Sequence, residues 1–171
     1  DARLEYLQAS QEAAIYVLTD QAGKSYPGTG APTSGTLFGS NAAGTDHGES
    51  ATLMYVTFGD SYSVQYWIDY NMKTYPKFAQ AAQGGVIELA WNFATEGTAG
   101  AQQVLSADSY IAESLQAMGN LNATVLLRLG AEMNNWSDCD PATYIEAFRK
   151  VAQEAAKYDN VKMVFSPDKI G

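Results

Sequence analysis

The chain alternates short apolar, β-rich runs with longer stretches in which apolar positions return every three or four residues. Leu53–Phe58, Val86–Phe93, Thr124–Ala131 and Val161–Phe165 are runs of the first kind and predict strands. Val125-Leu126-Leu127 has no polar alternation, as in parallel strands covered on both faces. The segments between them read as helices. Ser63–Ala82 is helix-like and interrupted or kinked at Pro76, and Gly84-Gly85 breaks it before the next strand. Ser106 reads as the N-cap of a helix over Asp108–Met118, with Ile111, Leu115 and Met118 on one face. Asp140-Pro141 pairs an N-cap with a proline at the first helical position. Tyr144, Ile145, Phe148, Val151, Ala152 and Ala155 supply that helix's apolar face, and Asn160 ends it.

Strands and helices in strict alternation predict right-handed βαβ units on a parallel sheet. A barrel and an open doubly wound sheet both satisfy that order. No Gly-x-Gly-x-x-Gly follows a strand and no P-loop lysine occurs, so nucleotide binding has no support. The N-terminal part is less regular. Arg3–Ala14 is helix-like, and Ile15–Thr19 is a β-branched run. Gly23–Gly35 is rich in Gly, Pro, Ser and Thr, and Ser40–Ser50 is Gly-rich and polar. Ile15–Thr19 and Thr36–Gly39 compete for the first strand. The chain therefore divides into an N-terminal extension or loop region, 1–35, and an α/β domain, 36–171.

Composition removes several classes of function. A net charge of −9 without a basic stripe argues against a nucleic-acid partner. No run approaches the ~20 apolar residues of a membrane span. Eleven Tyr and three Trp exceed the needs of a minimal core, and they either fill it or form sugar-stacking platforms. The single cysteine, Cys139, excludes an internal disulfide and has no nearby His to activate it. His47 lies with Asp46 and Glu49 at a spacing that matches no established metal site, and it reads as a solvated loop residue. No metal or organic cofactor is required. Asp1 is not an initiator Met and no signal-peptide pattern is present, so a processed or trimmed N-terminus is expected. Asn122-Ala-Thr124 and Asn135-Trp-Ser137 match the N-glycosylation acceptor pattern.

The chemistry concentrates after Thr124. Alternation along that strand puts Arg128, Gly130 and Glu132 on one face, with Glu132 at the C-terminal rim and Asn134, Asn135 and Trp136 in the loop above. A carboxylic acid, amides and an indole at a strand's C-terminal end are suited to gripping and cleaving a sugar. Desolvation beside Trp136 is expected to raise the Glu132 pKa. Glu88 and Arg128 fall mid-strand on neighbouring strands, where charges must be paired, and are expected to interact in a structural role.

Arg128-Leu-Gly-Ala-Glu132-Met-Asn-Asn-Trp136 resembles the fourth-strand motif of glycoside hydrolase family 26, best known for β-mannanases. The family's run is Arg, two residues, His, Glu, Met, Asn, Gly, then Trp a little further on. Arg128, Glu132, Met133 and Asn134 fall in register. Ala131 replaces the His, Asn135 the Gly, and Trp136 arrives one residue early. The resemblance extends over roughly Ala51–Gly171.

It implies an α/β fold of the parallel (β/α)8 TIM-barrel type, apparently truncated after strand five, since 171 residues fall short of the about 250 of a full barrel. It further implies a glycosidase that cleaves a β-linked polysaccharide, mannan or glucan, by a retaining mechanism, and the acidic, Tyr-, Asn- and Gly-rich composition fits a secreted or cell-surface protein. Glu132 is then the acid/base, and the nucleophile is a strand-seven Glu to which nothing here corresponds. Trp91 matches a third-strand Trp that faces a substrate subsite, with a core Trp equally expected at that position. Asn92 offers an amide, Asp60 binds a sugar hydroxyl or caps its loop, Asn134 orients substrate or acid/base, and Trp136 stacks. Ala131 and the missing seventh strand leave open a non-catalytic polysaccharide-binding or surface structural module. A half-barrel that pairs with a copy or partner is the third possibility.

Overall fold

Among the described residues the strands form one sheet in which each runs parallel to its neighbours, in the order of the sequence. The computed structural model describes residues 38–39 and 51–167. The strands are β1 (Phe38–Gly39), β2 (Ala51–Thr57), β3 (Gln83–Asn92), β4 (Asn122–Leu129) and β5 (Val161–Val164). The helices are α1 (Val64–Thr74), α2 (Pro76–Ala81), α3 (Thr98–Leu105), α4 (Asp108–Gly119) and α5 (Pro141–Ala155). Thr36–Gly39 contains β1, which pairs Phe38 with Ala51. The rival strand Ile15–Thr19, the helix-like Arg3–Ala14, the loop Gly23–Gly35 and His47 lie outside the described residues.

Local chemistry explains most boundaries. Ser63 Oγ accepts a hydrogen bond from the Tyr66 N–H at 3.1 Å and caps α1. Pro76 occupies the first turn of α2, so of the interruption or kink expected there the structure shows an interruption, two helices separated by Tyr75. Asp140 caps α5 by accepting from the Thr143 N–H at 2.9 Å, and Pro141 follows at the first helical position. Ser106 behaves differently from expectation. It closes α3, with its Oγ donating to the Gln103 carbonyl at 3.1 Å, and α4 starts after Ala107 without a side-chain cap. The sequence pattern missed α3, whose buried side consists only of Gly100, Ala101 and Val104. Of the apolar face expected for α5, Ile145 is exposed, and Ala147 is buried against the core. That helix ends at Ala155, so Asn160 serves another purpose. Its Nδ2 lies 3.2, 3.0 and 3.1 Å from the carbonyls of Met118, Leu121 and Ala123, clamping the end of α4 to the start of β4.

Register sorts the strand residues into two faces. Thr52, Ile87, Val125 and Val161 form one row, Met54, Leu89, Leu127 and Met163 the next, and Val56, Trp91 and Leu129 a third. These rows, Thr52 aside, join the buried residues of all five helices in a single apolar core. Burying each Leu, Ile or Val there contributes roughly 1.5–3 kcal/mol. The reverse face carries Leu53, Tyr55 and Thr57, then Glu88, Ala90 and Asn92, then Thr124, Leu126 and Arg128, then Lys162 and Val164. None of these joins that core. Among the described residues the helices therefore pack on one face of the sheet.

Candidate functional site

Parallel strands bring their C-terminal ends to one edge, so the loops after β2, β3, β4 and β5 meet along a common rim. Asp60, Asn92, Glu132, Asn134 and Trp136 all stand there. The structure brings them to one edge but changes how several of them are held.

The strand carrying the motif stops at Leu129, earlier than expected. The Gly130 N–H makes the last ladder bond, to the Trp91 carbonyl at 3.0 Å, and Gly130 then turns left-handed at φ 55°. A Cβ at Gly130 would sit 3.0 Å from Phe93 Cζ and 3.1 Å from Trp136 Cη2, so position as well as conformation favours glycine. Glu132 follows at φ 60°, the one non-glycine residue with positive φ among those described. Two backbone bonds hold it there. Its N–H donates to the Ser166 carbonyl at 2.8 Å, and its own carbonyl accepts from the Asn135 N–H at 2.9 Å. Because the strand has ended, alternation does not carry Glu132 onto the face of Arg128. Its side chain is exposed, and the shielding expected from Trp136 is not present. Trp136 is half-buried and packs against Phe93, with ring centroids 5.3 Å apart. Asn134 is exposed within the 3-10 turn Met133–Asn135.

Of the two places open to Trp91, the structure excludes the substrate subsite and selects the core. Trp91 is 0% exposed and lies in the helix-side core, with ring centroids 4.7 Å from Phe58 and 5.8 Å from Tyr110. Its row partners are Val56 and Leu129, and that parity removes it from any sugar subsite. Asn92, one residue on, belongs to the reverse face and is half-buried at the rim.

Asp60 caps its own loop. Its Oδ1 accepts from the Tyr62 N–H and the Ser61 Oγ, each at 3.1 Å. The Tyr62 backbone bond, more than any other contact, holds this exposed carboxyl below its usual range. The Trp67 indole also approaches the carboxylate but without hydrogen-bond geometry.

Glu88 and Arg128 do meet, with Arg128 Nε 3.0 Å from Glu88 Oε1 and both side chains largely buried. Burial pushes the Glu88 carboxyl up, and the Arg128 charge opposes this only in part. Cys139 is a poor nucleophile: partial burial first, then Asp138 and Asp140, push its thiol up. Among the described residues no cluster of three His, Cys, Asp or Glu could hold a metal ion, and no helix is long and apolar enough to cross a membrane.

Two features escaped the sequence reading. The Ser166 carbonyl that holds Glu132 leaves no side-chain signal. Tyr62, by contrast, precedes the Ser63 cap and, with Tyr66 and Tyr70 of α1, repeats every four residues in the sequence. The chain matches no family model, no curated protein and no solved structure.

Proposed function

We propose that β1–β5 are successive strands of a (β/α)8 barrel whose rim belongs to a retaining glycosidase acting on a β-linked polysaccharide, mannan or glucan. Sequential strand order with helices on one face supports the barrel, since a doubly wound sheet reverses its order and carries helices on both faces. The Glu88–Arg128 pair then lies on the barrel's inner side. The observation that carries the activity is the left-handed backbone of Glu132, held at the rim by the Ser166 carbonyl. Strained non-glycine residues persist where the surroundings hold them, and they gather at active sites.

In this reading Glu132 protonates the leaving-group oxygen and afterwards takes a proton from the attacking water. The nucleophile stands on a later strand, the seventh in the family that the motif resembles. Asn92 and Asn134 bond sugar hydroxyls, and Trp136 packs on a ring face. A polymeric substrate favours work outside the cell or at its surface.

The test is hydrolysis of mannan and of mixed-linkage glucan by wild type and Glu132→Gln. Turnover should fall about a thousandfold in the variant, with binding retained. Ala131, in place of the family's His, favours a second reading in which the module binds polysaccharide without turnover. Under that reading wild type releases no reducing ends, and the two proteins bind equally.

A further inference from the structure

We infer that the rim end of α1 carries a second carbohydrate contact, a stacking platform built on Tyr62 with Tyr66 behind it. Helix α1 begins just past Asp60, so Tyr62 and Tyr66 stand at the same edge of the sheet as Asn92 and Glu132. The two rings are stacked, centroids 4.3 Å apart and planes 20° from parallel. Trp67 braces both edge-on, at 5.9 and 5.3 Å, and also meets Tyr70 at 5.8 Å. Despite this packing, Tyr62, Tyr66 and Tyr70 remain 50%, 43% and 43% exposed.

Rings already fixed by their neighbours lose little freedom when a ligand stacks on them. Tyr62 is joined to a hydroxyl acceptor as well, because its own N–H fixes the Asp60 carboxylate beside it. An aromatic face with a carboxylate bonded to the backbone of the same residue matches a pyranose, which has a C–H face and a hydroxyl rim. Size selects the occupant. Tyr66 and Tyr70 lie one helical turn apart, about 6 Å, with Tyr62 stacked on Tyr66 just before the helix. Even fully covered, rings of roughly 150–250 Å² each fall short of the about 800 Å² per partner of a stable protein interface. A net charge of −9 disfavours an anionic polymer. The ligand class is a neutral β-linked oligosaccharide. This inference rests on the carbohydrate reading for that class, but it needs nothing from Glu132.

The experiment is a titration of intrinsic fluorescence with mannohexaose and with cellohexaose. At least one should give a saturable change in wild type. Tyr62→Leu, which keeps apolar volume and loses the ring, should weaken that binding about tenfold. Tyr62→Phe and Glu132→Gln should leave it intact. The platform is rejected if Tyr62→Leu titrates like wild type or if neither hexasaccharide binds. It is also rejected if the tyrosines instead mediate a dimer that Tyr62→Leu dissolves in size-exclusion chromatography. Loss of binding in Tyr62→Leu, with no hydrolysis by wild type, would reject the glycosidase reading alone.

Discussion

Arg128 Nε stands 3.0 Å from Glu88 Oε1 across the β3–β4 ladder, yet its N–H is not aimed to form a hydrogen bond. The pair is thus an electrostatic contact with incomplete directional bonding, and burial outweighs the Arg128 charge at the Glu88 carboxyl.

A pH dependence follows from this. Burial raises Glu88 above the ordinary glutamate value of 4.5. The folded state then holds the proton more tightly than the unfolded one. The stability this contributes is complete below that ordinary value and is lost as pH rises through the raised one. Urea unfolding across about pH 4–8 should show this loss in wild type and not in Glu88→Gln. Arg128→Leu removes the opposing charge, moves the loss to higher pH and costs about 2–3 kcal/mol at neutral pH. Identical pH profiles for wild type and Glu88→Gln would show that the pair has no such effect.

Glu132 should display a trade between stability and activity. A left-handed conformation costs an ordinary residue about 1–2 kcal/mol, and the exposed Glu132 side chain offers no packing to offset it. Glu132→Gly should therefore gain about 0.5–1 kcal/mol in unfolding free energy while hydrolysis is lost. Glu132→Ala, which keeps the strain, should lose hydrolysis without that gain. A Glu132→Gly variant less stable than Glu132→Ala would contradict the backbone account.

Asn160 should matter more than an ordinary loop asparagine. Its amide faces the carbonyls of Met118, Leu121 and Ala123, and two amide hydrogens serve all three. Asn160→Ala leaves these acceptors without their donor at a cost of about 1–3 kcal/mol. Asn160→Asp should be worse at neutral pH, because a carboxylate there faces three oxygens, and it should recover on acidification. Thermal unfolding of both variants at two pH values checks the order.

Periodicity and end signals, which depend only on neighbours in the chain, were enough to read much of this protein. The strands β2 to β5, the Asp140-Pro141 helix start and the interruption at Pro76 follow from branched apolar runs, a side-chain acceptor and a missing N–H. The Glu88–Arg128 contact was legible for the same reason, since alternation and strand order put both residues on one face at similar depth. Helix α3 was not legible, because Gly100, Ala101 and Val104 bury too little to leave a periodic signal. The candidate site divides along the same line. Sequence gathered Asp60, Asn92, Glu132, Asn134 and Trp136 at strand ends. It left Trp91 open between a subsite and the core, because its side is set by the register that pairs it with Val56 and Leu129. It also ran the strand to Ala131 and its alternation on to Glu132, where Gly130 and the Ser166 carbonyl turn the chain away. Those outcomes depend on atoms distant in sequence, a neighbouring strand and a loop after β5, and only packing in three dimensions decides them.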